Sequence, residues 1–267
     1  QHKAALLASL QAQGASTRGI HVLLRKFSRL ADGLLTTLWQ RAGLPPGLAL
    51  AAVGGFGREQ LFPHSDIDVL VLLPTDLPAP DTVREQVEAF IRSCWDAGLE
   101  IGSSVRSVEE CLSEAANDVT VQTSLLEARR VCGDAALFAR FEHQFGAQLD
   151  PHAFLVAKTL EMRQRHTKHE NTPYALEPNC KESPGGLRDL HLILWVARAA
   201  GLGKCWDELA HSGLATPYEV RQIQRNEALL FLIRARLHAM AGRREDRLVF
   251  DLQTAVAESL GYRSQAP

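Results

Sequence analysis

The 267-residue chain is long enough to bury a large core, and 46% hydrophobic with 22% charged residues is ordinary for a globular protein, which excludes disordered, collagen-like and membrane-embedded classes. A formal charge of -2 provides no general footprint for wrapping nucleic acid or lying on an anionic membrane. No stretch reaches the roughly 18 apolar residues of a membrane span, and the N-terminus lacks the order of a signal peptide, so a cytoplasmic protein is expected.

In chain order, residues 3–13 and 20–43 read as helices, the second with Leu23, Leu24, Phe27, Leu30, Leu34, Leu35 and Leu38 at helical spacing and LPPG at 44–47 as its stop. Two short apolar runs, 48–53 and 69–73, end at Gly54-Gly55 and at Pro74 and read as buried strands. After a loop at 74–80, Thr82 to Glu85 offers a capping box. It opens a helix with Val83, Val87, Phe90, Ile91, Cys94 and Trp95 on one face and Gly98 as C-cap. A third strand is expected over 100–105, a helix over 108–116 and a fourth strand over 124–131.

From about Asp134 onward helical periodicity dominates, as in Ile223, Leu230, Ile233, Leu237 and Met240. The reading is an α+β fold: a domain over 1–134 with N-terminal helices and a small mixed sheet flanked by helices, then an all-helical domain over 135–267. The five cysteines stand 17 to 48 residues apart without a C-x-x-C pair, so buried thiols are expected rather than a zinc site.

The chemistry concentrates in GGFGREQLFPHSDIDVLVLLP at 54–74. In an extended segment side chains alternate, so Asp66 and Asp68 share one face while Ile67 and Val69 point to the core. Carboxylates about 6 to 7 Å apart repel unless a cation joins them. Magnesium takes hard oxygen ligands and is usually held by one or two carboxylates together with substrate phosphates. Gly54 and Gly55 let a backbone turn approach those phosphates, Ser65 adds a hydroxyl and Arg58 a guanidinium fork. Each residue alone is more simply a turn or a cap, and the ordered combination is what points to a nucleotide.

The pattern of an apolar run, Gly-Gly, ten residues and then Asp-apolar-Asp-apolar resembles the signature of the DNA polymerase β-type nucleotidyltransferase superfamily. There the glycine pair holds a triphosphate and the paired acids bind metals. The longer string, with LEIGSSVRSVEEC at 99–111, DVTVQTSLLEARRVCGD at 118–134, LEPNCKESPGGLRDLHLILWVARAAG at 176–201 and GRREDRLVFDLQTAVAESLGY at 242–262, resembles the bifunctional uridylyltransferase and uridylyl-removing family acting on the nitrogen-regulatory PII protein. The resemblance implies a nucleotidyltransferase fold, Mg²⁺, and transfer of UMP from UTP to a PII tyrosine hydroxyl with release of pyrophosphate. That family continues into a phosphohydrolase-type domain and two regulatory domains. With no His-Asp dipeptide and an end at SQAP, the chain reads as the transfer-competent part of a longer protein, without uridylyl-removing chemistry.

Asp66 and Asp68 are the expected metal holders and catalytic acids. The resemblance implies a third carboxylate from a neighbouring strand, for which Glu127 in SLLEARRV comes first and Glu100 in LEIGSSV second. SPGGLRD at 183–189 places a helix N-terminus where its donors could meet an anion, against a plain packing turn in which Arg188 and Asp189 pair with each other or with neighbours. The basic run MRQRHTKHE at 162–170 offers charge for a phosphate tail, against the commoner solvated helix face; His166 and His169 lack an acidic third ligand. Trp195 and Trp206 read as interface fillers, and no residue identifies the base. Two rivals stay open: an adenylyltransferase acting on glutamine synthetase, which shares G-G-x-G-R and S-D-x-D, and a non-catalytic module binding nucleotide or PII.

Overall fold

A computed structural model of the chain describes residues 2–12, 16–76 and 80–262. Gln13, the middle of the loop expected at 74–80, and the terminal SQAP lie outside the described residues. The order is α1 (His2–Ala12), α2 (Ile20–Arg41), β1 (Ala49–Ala52), α3 (Gly54–Gly57), β2 (Ile67–Leu73), α4 (Pro80–Asp96), β3 (Ile101–Ser107), α5 (Val108–Asn117), α6 (Val119–Leu126) and β4 (Arg129–Gly133). Helices follow: α7 (Ala135–Gln148), α8 (Pro151–Lys168), α9 (Leu187–Ala199), α10 (Trp206–His211), α11 (Pro217–Ala241) and α12 (Phe250–Ser259). The expected α+β architecture, a small mixed sheet with flanking helices and then helices alone, is present.

The chain divides into two compact units, one of residues 1–24, 62–64 and 150–267, the other of 25–61 and 65–149. In the second, the sheet unit, the described strands run β3-β2-β1-β4, with β1 antiparallel to β2 and β4, and β2 parallel to β3. The parallel pair needs a long crossover, which α4 supplies. Every residue of β1 is buried, and in β2 Asp68 alone is exposed within an otherwise buried run, as suits central strands covered by helices. On α4 the buried stripe is Val83, Val87, Phe90 and Cys94, at helical spacing; Trp95, expected on that face, is 54% exposed because it follows Cys94 by about 100° around the helix.

Two local expectations are corrected. Because α4 starts at Pro80, Thr82 lies inside the helix and not at its N-cap. The capping box of this region is instead Ser107 with Glu110, opening α5. The stretch expected as a strand from Ser124 is helical to Leu126, since Asp118 caps α6 by accepting from the N–H groups of Thr120 and Val121; the strand begins only at Arg129.

In the helical unit, α11 is the central element: it packs against α1, α9, α10 and α12. Thr216 and Glu219 form its capping box, and Gly242 ends it with φ of 64°. Being covered on several sides, α11 buries Ala228, Phe231, Leu232, Ala235 and Leu237, a wider set than the single stripe expected, while Met240 is exposed. It also buries Arg234 and His238, so ionic chemistry enters the core of this unit. Among the described residues no helix is long and apolar enough to cross a membrane.

Candidate active site in the sheet unit

The glycine turn and the two acids meet where β1 and β2 pair. Ala52 of β1 lies opposite Val69, and the next N–H, that of Val53, donates to the Asp68 carbonyl at 3.0 Å. The chain then turns at Gly54, whose φ of 56° few side chains tolerate, into the single turn of α3. A β-carbon at Gly54 would stand 3.6 Å from Asp68 Oδ2, so turn and acid are neighbours. Asp66 and Asp68 are exposed while Ile67 and Val69 are buried, the alternation that the strand reading requires.

Room beside Asp68 is kept by β3. The parallel register sets Asp68 opposite Gly102, where a β-carbon would approach Asp68 Oδ1 to 2.7 Å. Carried back one residue, the same register sets Asp66 opposite Glu100, whose carbonyl accepts from Ile67 N–H at 2.9 Å. Glu100 is exposed and, by the alternation along β3, shares the face of the two aspartates.

Glu127 comes from the end of a helix and not from the expected strand. It follows the last turn of α6, 3% exposed, and its carboxylate forms an ion pair with Nη1 of Arg58. Arg58 Nε also donates to Gln60 Oε1 at 2.9 Å, so its guanidinium is held from two sides, with Nη2 3.7 Å from where a β-carbon of Gly55 would sit. The buried carboxylate of Glu127 is thus compensated by the arginine it orients. Ser65 is half-buried immediately before Asp66.

Two supporting contacts were not singled out from the sequence. A β-carbon at Gly57 would lie 2.1 Å from the Glu127 carbonyl oxygen and 3.1 Å from that of Ala52, so α3 packs against the end of α6 only because this residue is glycine. Arg129 of β4 reaches Asp32 of α2 with both Nη atoms, at 3.1 and 3.0 Å, and its guanidinium lies 5.5 Å from the Phe56 ring centre, clamping α3. The G-G-x-G string carried the first signal; the second had none.

Do these residues suit a magnesium ion? Two exposed carboxylates on one face, a glycine-lined space beside one of them and a backbone turn within reach are hard oxygen donors with room for a phosphate. Among the described residues no three His, Cys, Asp or Glu side chains already gather as a metal cluster. A magnesium ion held by one or two carboxylates would be completed by substrate oxygens and water.

Residues 153–267 match a family model described as GlnD PII-uridylyltransferase. The chain is 59% identical over 256 residues, 96% of its length, to the bifunctional uridylyltransferase/uridylyl-removing enzymes of Burkholderia mallei (strain ATCC 23344) and Burkholderia pseudomallei (strain K96243). The chain is thus similar to a GlnD PII-uridylyltransferase model in its C-terminal part and to these two enzymes along nearly all of its own length. It spans 30% of the length of those two enzymes.

The motifs of the helical unit are built into its core. The N–H groups of Leu187, Arg188 and Asp189, which open α9, donate to the carbonyls of Cys180, Lys181 and Gly186 at 2.9, 2.9 and 3.0 Å. The donors expected to meet an anion are therefore consumed by the turn itself. Arg188 and Asp189 pair with neighbours: Arg188 Nη2 with Glu182 at 3.1 Å, Asp189 with Arg165 and His166 at 2.5 and 3.0 Å. Burial raises the affinity of Asp189 for a proton, but hydrogen bonds from Arg165, Gly185 and His166 outweigh it and hold the carboxyl below its ordinary value. The basic run at 162–170 thus turns Arg165 and His166 inward, contrary to a wholly solvated face. Trp195 and Trp206 are buried as interface fillers. The cysteines are free thiols, with Cys111 pushed up to about 12 by burial.

Proposed function

We propose that the sheet unit transfers a uridylyl group from UTP to a tyrosine hydroxyl of the PII protein, with pyrophosphate leaving. The observation that carries this reading is the exposed pair Asp66 and Asp68 facing the Gly54 turn and the space at Gly102. The base and the acceptor come from the names of the relatives, since no residue here distinguishes them.

Asp66 and Asp68 would hold Mg²⁺, with Glu100 the third carboxylate favoured by register and Glu127 instead holding Arg58 in place. When bound, the ion neutralises triphosphate charge and makes the attacking hydroxyl more acidic. The turn at Gly54 and Gly55 lets phosphate oxygens approach the backbone, Ser65 donates a hydroxyl, and Arg58, anchored by Glu127 and Gln60, adds a fixed positive charge. In the transfer the tyrosine oxygen bonds to the α-phosphorus, the bond from that phosphorus to the bridging oxygen breaks, pyrophosphate departs and the hydroxyl proton passes to solvent or to a carboxylate. The partners are UTP and PII; a nucleic acid or membrane partner has no support in charge or hydropathy, and a cytoplasmic location fits.

The test is transfer of label from UTP or ATP with PII and glutamine synthetase as alternative acceptors. Uridylylated PII is expected, with Asp66→Asn and Asp68→Asn each lowering the rate more than about 100-fold while the protein stays folded. Adenylylated glutamine synthetase would replace this reading with the adenylyltransferase one, and nucleotide binding without transfer would leave only a binding module. Unchanged turnover in the asparagine variants would overturn the assignment of the acids.

A further inference from the structure

Apart from the aspartate pair, the helical unit gathers a second set of charges around the turn that enters α9. The carboxylate of Glu182 is shared by three cations: Arg188 Nη2 at 3.1 Å, Lys181 Nζ at 3.7 Å and Arg165 Nε at 3.8 Å. Asp189 is the other carboxylate of the group, and it takes Arg165 Nη2 and His166 Nε2. Two carboxylates thus face the three cations Lys181, Arg165 and Arg188, while the nearby Arg234 is paired with Asp246.

Donor capacity is also left over. The Lys181–Glu182 pair is too long for a hydrogen bond. Arg165, only 9% exposed, keeps its Nε without a hydrogen-bond partner. Burial above all, then repulsion from Arg188 and Arg234, pushes the Lys181 ammonium down to about 8, against the opposing carboxylates of Glu182 and Asp246. Other grooves offer less: a cavity of about 670 Å³ lined mainly by apolar residues such as Leu192, Val196, Trp206 and Ile223 has Tyr218, Glu219 and Gln222 at its wall and gathers no cluster of charges.

We propose that Lys181 and Arg188 form an anion subsite of the helical unit that takes a phosphate-type oxyanion. Such an anion supplies the missing negative charge and accepts hydrogen bonds from Lys181 Nζ and the guanidinium fork of Arg188. The chemistry is common to free pyrophosphate and to the phosphate tail of a nucleotide. The subsite does not depend on the aspartate pair, so it can stand or fall apart from the transfer reading.

The experiment is acetylation of lysines in the whole chain at pH 7, followed peptide by peptide. It uses the Asp66→Asn variant without divalent metal, in pyrophosphate, in UTP, or in sodium chloride of equal ionic strength. Lys181 is expected to react faster than the exposed Lys168 and Lys204 in chloride. It should slow about tenfold when an anion binds, because raising its pKa by about one unit cuts the neutral amine tenfold. Slowing by UTP as well as pyrophosphate assigns the subsite to a nucleotide tail; slowing by pyrophosphate alone assigns it to the free anion. An equal rate in all three solutions overturns the proposal. Calorimetry of pyrophosphate binding checks it independently: Lys181→Met should weaken binding about tenfold and Lys181→Arg should retain it, since the charge is kept. Undiminished binding by a folded Lys181→Met variant overturns it too, and if that variant does not fold, the labelling of unaltered Lys181 still decides.

Discussion

In the sheet unit the carboxylates of Asp66 and Asp68 stand exposed on one face, with glycines keeping the space around them; in the helical unit those of Asp189 and Asp246 are drawn under side chains and pinned by arginine and histidine. Burial would raise Asp246, but the hydrogen bond from His238 and the charge of Arg234 prevail, and it is held far below the carboxylate range. Removing a carboxylate from water is costly unless its partners restore what water gave. Acids enclosed in this way secure a fold. Those at a glycine-lined surface face solvent, where a ligand can reach them, and that contrast in exposure locates the candidate active site better than any count of charged residues.

The contrast breaks most severely at the packing beneath the glycine turn. Gly57→Ala places a β-carbon against two backbone carbonyls that cannot rotate away, and a loss of at least about 3 kcal/mol is expected in a urea titration. A variant as stable as the parent would show that α3 can shift, and with it the turn that faces Asp68. Next in size is Glu127→Gln, which leaves Arg58 without its carboxylate. Because the Arg58 side chain is 19% exposed, the cost is set below that of a fully buried pair, at about 2 kcal/mol. Transfer should fall together with stability, since the guanidinium beside the turn loses its orientation; full transfer in a destabilised variant would restrict Glu127 to the fold.

How far the sequence carried this picture depended on how local each signal was. The alternation that exposes Asp66 and Asp68 is a property of a single strand, and so was readable. The glycine pair that ends β1 was equally local. The partner of Glu127 was not: the expected strand there is the end of a helix capped by Asp118, and the carboxylate pairs with Arg58, 69 residues away in sequence. Glu100 and Gly102 gain meaning only from the register of β3 against β2, a pairing between residues more than 30 apart in sequence. On α11 periodicity found a helix but not that its neighbours surround it, so the buried Arg234 and His238 escaped notice.

Acid should loosen the helical unit at His238 before it reaches Asp246. His238 is fully buried, with Nδ1 placed to accept from His64 N–H at 3.3 Å and Nε2 placed to donate to Asp246 at 3.1 Å. Burial pushes its pKa below the ordinary 6.5, with Asp246 opposing and Arg234 assisting. A folded value below the unfolded one means that the unfolded chain takes up the proton first. The stability contribution is therefore complete above pH 6.5 and is lost as pH falls from there towards the folded value. The corresponding loss at Asp246 begins only below its ordinary 3.8. Unfolding titrations at pH 7.5 and 5.5 should show about 1 kcal/mol more acid loss in the parent than in His238→Gln, and equal slopes would remove His238 from the account.

The smallest effect on the fold is expected at Gly102→Ala, and it bears most directly on the site. Its β-carbon would meet Asp68 Oδ1 at 2.7 Å, but the atom it meets is the end of a side chain, and a carboxylate can rotate. Stability should change by no more than about 0.5 kcal/mol, as for an ordinary surface substitution. What changes is where Asp68 can place its oxygens, so if this pair grips magnesium with the triphosphate, the variant should need about tenfold more metal for half-maximal transfer, on the scale of a disturbed ligand orientation. Should Gly102→Ala transfer normally at the parent's magnesium requirement, the space beside Asp68 serves the strand and not the ion, and the distinction between acids that secure the fold and acids kept for a ligand would have to rest on Asp66 alone.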